Sequence, residues 1–195
     1  MNIVFEFPSI SSLATELFLL QQGSASESDP VEEEMQRLID RYGDFPSHKS
    51  CANSDTGDYI VLTGSTGSLG AHLVAQLAKM PNVRKIYCLV RGESQADARL
   101  RVMSSLRKRS IYHTLELTER QKIIALPSKL SESKLGLTEE LYSSIADNLT
   151  LLIHCAWTVN FNLRLGSFEK DCIAGKLKSS RLSWIWSFLF QIQVP

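Results

Sequence analysis

Three glycines, each three residues from the next, carry the clearest chemical signal in the chain. They stand in Thr63-Gly64-Ser65-Thr66-Gly67-Ser68-Leu69-Gly70, between an apolar run (YIVLTG, 59–64) and a helical pattern (SLGAHLVAQLAKM, 68–80). The first permits a tight turn out of a strand. The second lets backbone approach a pyrophosphate, and the third lets a helix pack closely on a sheet. A helix opening there presents free N–H groups and the positive end of its dipole to the phosphates. The spacing is GxxGxxG and no Gly-Lys-Ser/Thr follows, which excludes a P-loop. The rival reading is a βα turn with no ligand, and the placement between strand and helix disfavours it.

The next informative residue ends the second apolar run, Leu89-Val90-Arg91-Gly92, with Arg91 lying 21 residues after Gly70. An Asp or Glu there would accept from a ribose 2′-hydroxyl. A guanidinium suits a 2′-phosphate instead, through charge-assisted bidentate bonds. Arg99 and Arg101 follow, and either could complete the clamp, so NADP(H) is expected over NAD. Arg107, Lys108 and Arg109 read as a solvated basic face. His154 and Trp157 read, on physics alone, as core residues at a strand end. The four cysteines are far apart, with no CxxC and no Cys/His cluster, so neither a disulfide framework nor a metal site is expected.

These residues need elements to hold them, and the pattern supplies strands and helices in alternation. Strands are expected at 59–64, 84–90, 122–127 and 149–156. Helices are expected at 68–80, 94–112 and 138–148, the last capped by Thr138 with Glu140 near the capping-box position. That order implies βαβ units, a parallel sheet and right-handed crossovers, an α/β fold of Rossmann type. Two short helices precede it, 8–20 and VEEEMQRLIDRYG, separated by the polar, acidic stretch 21–34.

The 195 residues suffice for one full domain, and the net charge is zero. Residues 1–58 nevertheless carry eleven acids and three bases, and the remainder ten acids and eighteen bases. The basic part is the candidate for an anionic ligand. Basic residues are not interleaved with stacking aromatics, so nucleic acid is not an expected partner. No signal peptide and no apolar run long enough to span a bilayer are read, and a cytoplasmic chain is expected.

With these motifs laid out, residues 59–175 resemble a thioester reductase domain, the male-sterility-type branch of the extended short-chain dehydrogenase/reductases. Such domains end fungal adenylate-forming reductases and some nonribosomal peptide synthetases. The resembling segments are VLTGSTGSLGAHLV, YCLVRG, ALPSKLSESKLGL and LLIHCAWTVNFNLRLGSFEKDCIAG. NIVFEFPSISSLATEL resembles the last helix of a phosphopantetheine carrier domain. The resemblance divides the chain into a carrier-like helix (1–22), an acidic linker with a short helix (23–58), the N-terminal part of the reductase domain (59–175) and an atypical apolar tail (176–195).

The resemblance implies an oxidoreductase that uses NADPH to reduce a carrier-bound acyl thioester to an aldehyde or alcohol in secondary metabolism. It puts Thr63, Gly64, Ser65, Thr66, Gly67, Leu69 and Gly70 on the pyrophosphate loop, and Arg91 and Arg101 on the 2′-phosphate. It puts His154, Ala156 and Trp157 where a strand runs toward the nicotinamide ribose, with Val159, Asn160 and Phe161 continuing that segment. Where the family usually carries an Asp near the adenine, this chain has Lys129.

The family's chemistry needs a Ser/Thr with a Tyr and a Lys arranged as YxxxK. Residues four after Tyr42, Tyr59, Tyr87, Tyr112 and Tyr142 are Pro46, Thr63, Arg91, Glu116 and Ala146. The expectation is therefore a truncated product that holds the cofactor half without the catalytic half. The last 20 residues then read as intron or shifted frame. A membrane anchor is the rival account of the tail, but Leu182–Val194 is too short to span. A partial sheet implies poor solubility and marginal stability. The alternatives to an enzyme fragment are an inactive NADP-binding remnant and a carrier-docking module built on residues 1–45.

Overall fold

The computed structural model describes residues 7, 9–21, 30–43, 57–160, 163–175, 178 and 189–190. The chain divides into two compact units, residues 1–45 with 158–169, and residues 46–157 with 170–195. The first contains helix α1 (Ile10–Gln21), helix α2 (Pro30–Tyr42) and a 3-10 turn, Leu165–Phe168. Glu169, just past that turn, binds α2. Its carboxylate accepts from Arg37 Nη2 and Arg41 Nη1, each at 2.9 Å, and from the Tyr42 hydroxyl at 3.0 Å.

The second unit is built on a parallel sheet of order β3-β2-β1-β4-β5. Its strands are β1 (Asp58–Thr63), β2 (Val83–Val90), β3 (Ile123–Pro127), β4 (Leu151–His154) and β5 (Leu189–Phe190). Four strands were expected. The fifth, two residues long, pairs with Leu152 and Ile153 on the outer side of β4.

The strands are continuous apolar runs because helices cover both faces. Side chains alternate, so Ile60 and Leu62 of β1 join one core while Val61 joins the other. The first core packs Ile86, Cys88 and Val90 of β2 under Ala71, Val74, Ala75 and Ala78 of α3 (Ser68–Lys79) and Ala98, Val102 and Leu106 of α4 (Gln95–Lys108). The second places Tyr87, Leu89, Leu126 and Leu152 under Ile145, Ala146 and Leu149, at the end of α6 (Glu139–Asn148). A short α5 (Leu117–Gln121), not expected from the sequence, lies before β3; there Glu116 N donates to Glu119 Oε2 at 2.8 Å.

Two expected elements are shorter by more than one residue. β4 is shorter than 149–156. Helix α4 stops at Lys108 rather than running to 112, because Ser110 takes the left-handed conformation (φ 58°). Ser110 N then donates to Arg107 O and Ile111 N to Leu106 O, each at 2.9 Å, which is a Schellman ending with serine in the usual glycine position. Thr138 does cap α6, accepting from Leu141 N at 3.4 Å. The third helical position is Leu141, so Glu140 completes no capping box.

The crossovers β1-α3-β2 and β2-α4-β3 step in one direction, and the next strand, β4, returns to the far side of β1. The strand order therefore reverses between β1 and β4. In open α/β sheets ligands bind at the carboxyl ends of the strands beside such a reversal. No described helix is long and apolar enough to cross a membrane.

Candidate functional site

The glycine loop leaves β1 at that reversal. Gly64 has φ 72°, and a Cβ on it would lie 2.6 Å from the Cys155 carbonyl carbon and 2.7 Å from Ala156 N. Its bareness thus serves the approach of β4's exit as well as the turn. A Cβ on Gly70 would lie 2.1 Å from Gly64 O, so the third glycine seats the helix against the loop itself rather than against the sheet.

Gly67 N donates to Gly64 O at 2.9 Å, closing the turn, and Gly67 is the N-cap of α3 with no side-chain cap. The N–H groups of the first helical turn, from Ser68, Leu69 and Gly70, have no intrahelical acceptor by geometry. Gly67, Ser68 and Leu69 are exposed there. This bare helix start fits a pyrophosphate. Ser65 is buried, with its hydroxyl beside the Cys88 thiol. Burial pushes that thiol up to about 12 against a smaller opposite pull from Ser65.

Thr63, fully buried, joins the two strand ends. Its Oγ1 accepts from Ala156 N at 3.2 Å and lies 3.0 Å from His154 Nδ1, while its carbonyl accepts from Cys155 N at 3.2 Å. His154 and Ala156 are half-buried and Trp157 is exposed at this end of the sheet. Val159 and Asn160 fall in the other unit, and Phe161 lies outside the described residues.

Arg91 and Arg101 stand at one place in the structure. They line an open cleft of about 590 Å³ with Gly92, Glu93, Asp97, Ser128 and Lys129. Arg99, the other candidate, does not line it. One residue read as bland, Arg109, turns out to be connected. Ser105 Oγ donates to Thr66 O at 2.9 Å, and Arg109 Nη1 donates to Ser105 Oγ at 2.8 Å and to Ser105 O at 3.1 Å. Arg109 is therefore no solvated face. Arg107 is exposed, as read, with its guanidinium carbon 4.5 Å from the Tyr112 ring centre. The available signal was a serine in α4's buried stripe of Ala98, Val102 and Leu106, where a hydroxyl needs a partner. Among the described residues no group of His, Cys, Asp or Glu could hold a metal.

Comparison with known proteins gives the following. The family model described as male sterility protein, an NAD-binding domain family, matches residues 62–183. Adenylate-forming reductase Nps10 of Heterobasidion annosum is 35% identical over 86% of this chain and 16% of its own length. Adenylate-forming reductase Nps9 of Serpula lacrymans is 30% identical over 87% of this chain and 17% of its own. The chain thus spans about a sixth of the length of these curated relatives. The crystal structure of the terminal R domain from the myxalamid PKS-NRPS pathway superposes with a TM-score of 0.60 at 26% identity. That match covers 68% of this chain and 33% of the R domain.

Proposed function

The chain belongs to the male sterility protein family of NAD-binding domains, and from that premise we propose that it binds NADP(H) as the cofactor-holding part of a carrier-linked thioester reductase. The observation that carries this reading is a convergence at the carboxyl ends of the strands. An uncapped helix start after β1 lies in the same unit as a cleft bearing Arg91 and Arg101. In this reading the N–H groups of Ser65, Thr66, Ser68, Leu69 and Gly70 hold the pyrophosphate. Arg91 and Arg101 take the 2′-phosphate, and His154 and Ala156 border the nicotinamide ribose.

When bound, NADPH would supply hydride to a thioester carbonyl; with a proton from solvent the C–S bond breaks, releasing the carrier thiol and an aldehyde, which a second hydride and proton would take to an alcohol. Support for reduction comes from the relatives named as adenylate-forming reductases, and support for a carrier-bound substrate from the assembly-line setting of the terminal R domain. This chain's own residues bind and orient the cofactor. A Tyr–Lys pair at YxxxK spacing is not among its 195 residues, which favours binding without turnover for the chain taken alone.

Two measurements on the purified chain test this. Titration with NADPH and NADH, followed by nicotinamide fluorescence, should show saturable binding that favours NADPH. Adding an acyl-pantetheine thioester should leave the nicotinamide absorbance unchanged. Failure to bind either nucleotide overturns the cofactor assignment, and steady loss of absorbance would show that the chain carries a proton donor of its own.

A further inference from the structure

We infer that Lys129 is a third cation of the 2′-phosphate cleft and a determinant of the preference for a phosphorylated adenosine. The inference rests on the NADP(H) reading and extends it to a residue that reading does not use. β2 and β3 end in register, Val90 beside Pro127, and the next residue, Ser128, donates its N–H to Val90 O at 2.8 Å. Arg91 therefore leaves β2 level with Ser128, and Lys129 follows one residue later, so both cations stand at neighbouring strand exits and line the same cleft. The exit of β3 is fixed further by Ser128 Oγ donating to Leu135 O at 2.8 Å and Lys129 N donating to Leu135 O at 2.9 Å.

Arg101 reaches the same cleft from α4, so three elements each contribute one cation to it. Of the two acids that line it, Asp97 has Oδ2 turned to the backbone N–H of Glu93, at 3.4 Å. The Lys129 ammonium pairs with Glu132 Oε1 at 3.0 Å, and both side chains are more than half exposed. An exposed pair of that kind is weak, so a phosphate dianion held by two guanidinium groups can draw the ammonium away from it. A phosphate monoester is the chemical class such a cleft takes; a bare ribose hydroxyl gains little from an added cation.

The test is calorimetric titration of the chain with 2′,5′-ADP and with 5′-AMP, which differ in the phosphate at issue. Lys129→Met should weaken 2′,5′-ADP about tenfold, equivalent to about 1.4 kcal/mol, and leave 5′-AMP unchanged. Lys129→Arg should retain the discrimination. Glu132→Gln, which frees the ammonium, should tighten 2′,5′-ADP a few-fold. If Lys129→Met leaves both ligands unchanged while Arg91→Ala still weakens 2′,5′-ADP, the inference fails and the NADP(H) reading stands. Equal loss for both ligands also overturns it, since Lys129 would then act on the adenine or the fold. If the unaltered chain does not distinguish the two ligands, the NADP(H) reading itself fails.

Discussion

Thr63 connects the ends of β1 and β4 through a single oxygen that serves Ala156 N and His154 Nδ1. Thr63→Val keeps the shape and removes both bonds, leaving a buried N–H and a ring nitrogen to find other partners. It should destabilise the chain by about 2 kcal/mol in urea denaturation, whereas Thr63→Ser should recover most of that. A loss no larger for Val than for Ser would show that the hydroxyl does not matter. The sequence could not reveal this bond, since a threonine ending a strand is unremarkable by type and its partners lie 91 and 93 residues away. The glycines were legible because their absence of a side chain is itself the signal. Even so, the neighbours that demand Gly64 and Gly70, the backbone at 155–156 and the loop itself, come from the fold.

At the scale of elements, α4 shows how a strong periodic pattern can overrun its true end. Its apolar spacing continues toward Ile111, and no glycine marks the stop. The chain nevertheless leaves the helix at Ser110, because Ile111 turns back to give its N–H to Leu106 O while burying its side chain. Serine at φ 58° carries the steric penalty of the left-handed region. Ser110→Gly removes it, and after allowing for glycine's freer unfolded chain the gain should be up to about 1 kcal/mol. An upward shift of the thermal midpoint would record it. No shift, or a fall, would show that the serine is held by something other than backbone geometry. The central strands were read nearly to the residue because each is an apolar run bounded by polar turns, while α5, five residues long, is too short to show a period.

Across the whole chain, the parallel sheet followed from the simplest rule, strands alternating with helices. The register and the position of β4 beside β1 required the three-dimensional structure. Equally remote from sequence pattern is the contact of α2 with Glu169, which joins residues 127 to 132 positions apart. The hydrogen bond from Arg37, aided by Tyr42 and by the charges of Arg37 and Arg41, holds the Glu169 carboxyl below the usual glutamate range despite an opposing desolvation. A depressed folded value means that the contribution is fully present above the ordinary glutamate pKa of about 4.3 and is lost as pH falls through the lower, folded one. Carboxyl NMR should place the Glu169 midpoint below that of the exposed glutamates, and amide exchange in α2 should accelerate only as the pH drops through it. Glu169→Gln should abolish the acid dependence; its persistence would assign the effect elsewhere.

The bond from Ser105 to the Thr66 carbonyl has a consequence of its own. It fastens the turn after β1 to the helix that bears Arg101, so the glycine loop and the arginine-bearing helix share one mechanical link. Restraining either part restrains the other, and the ordering cost is met once rather than twice.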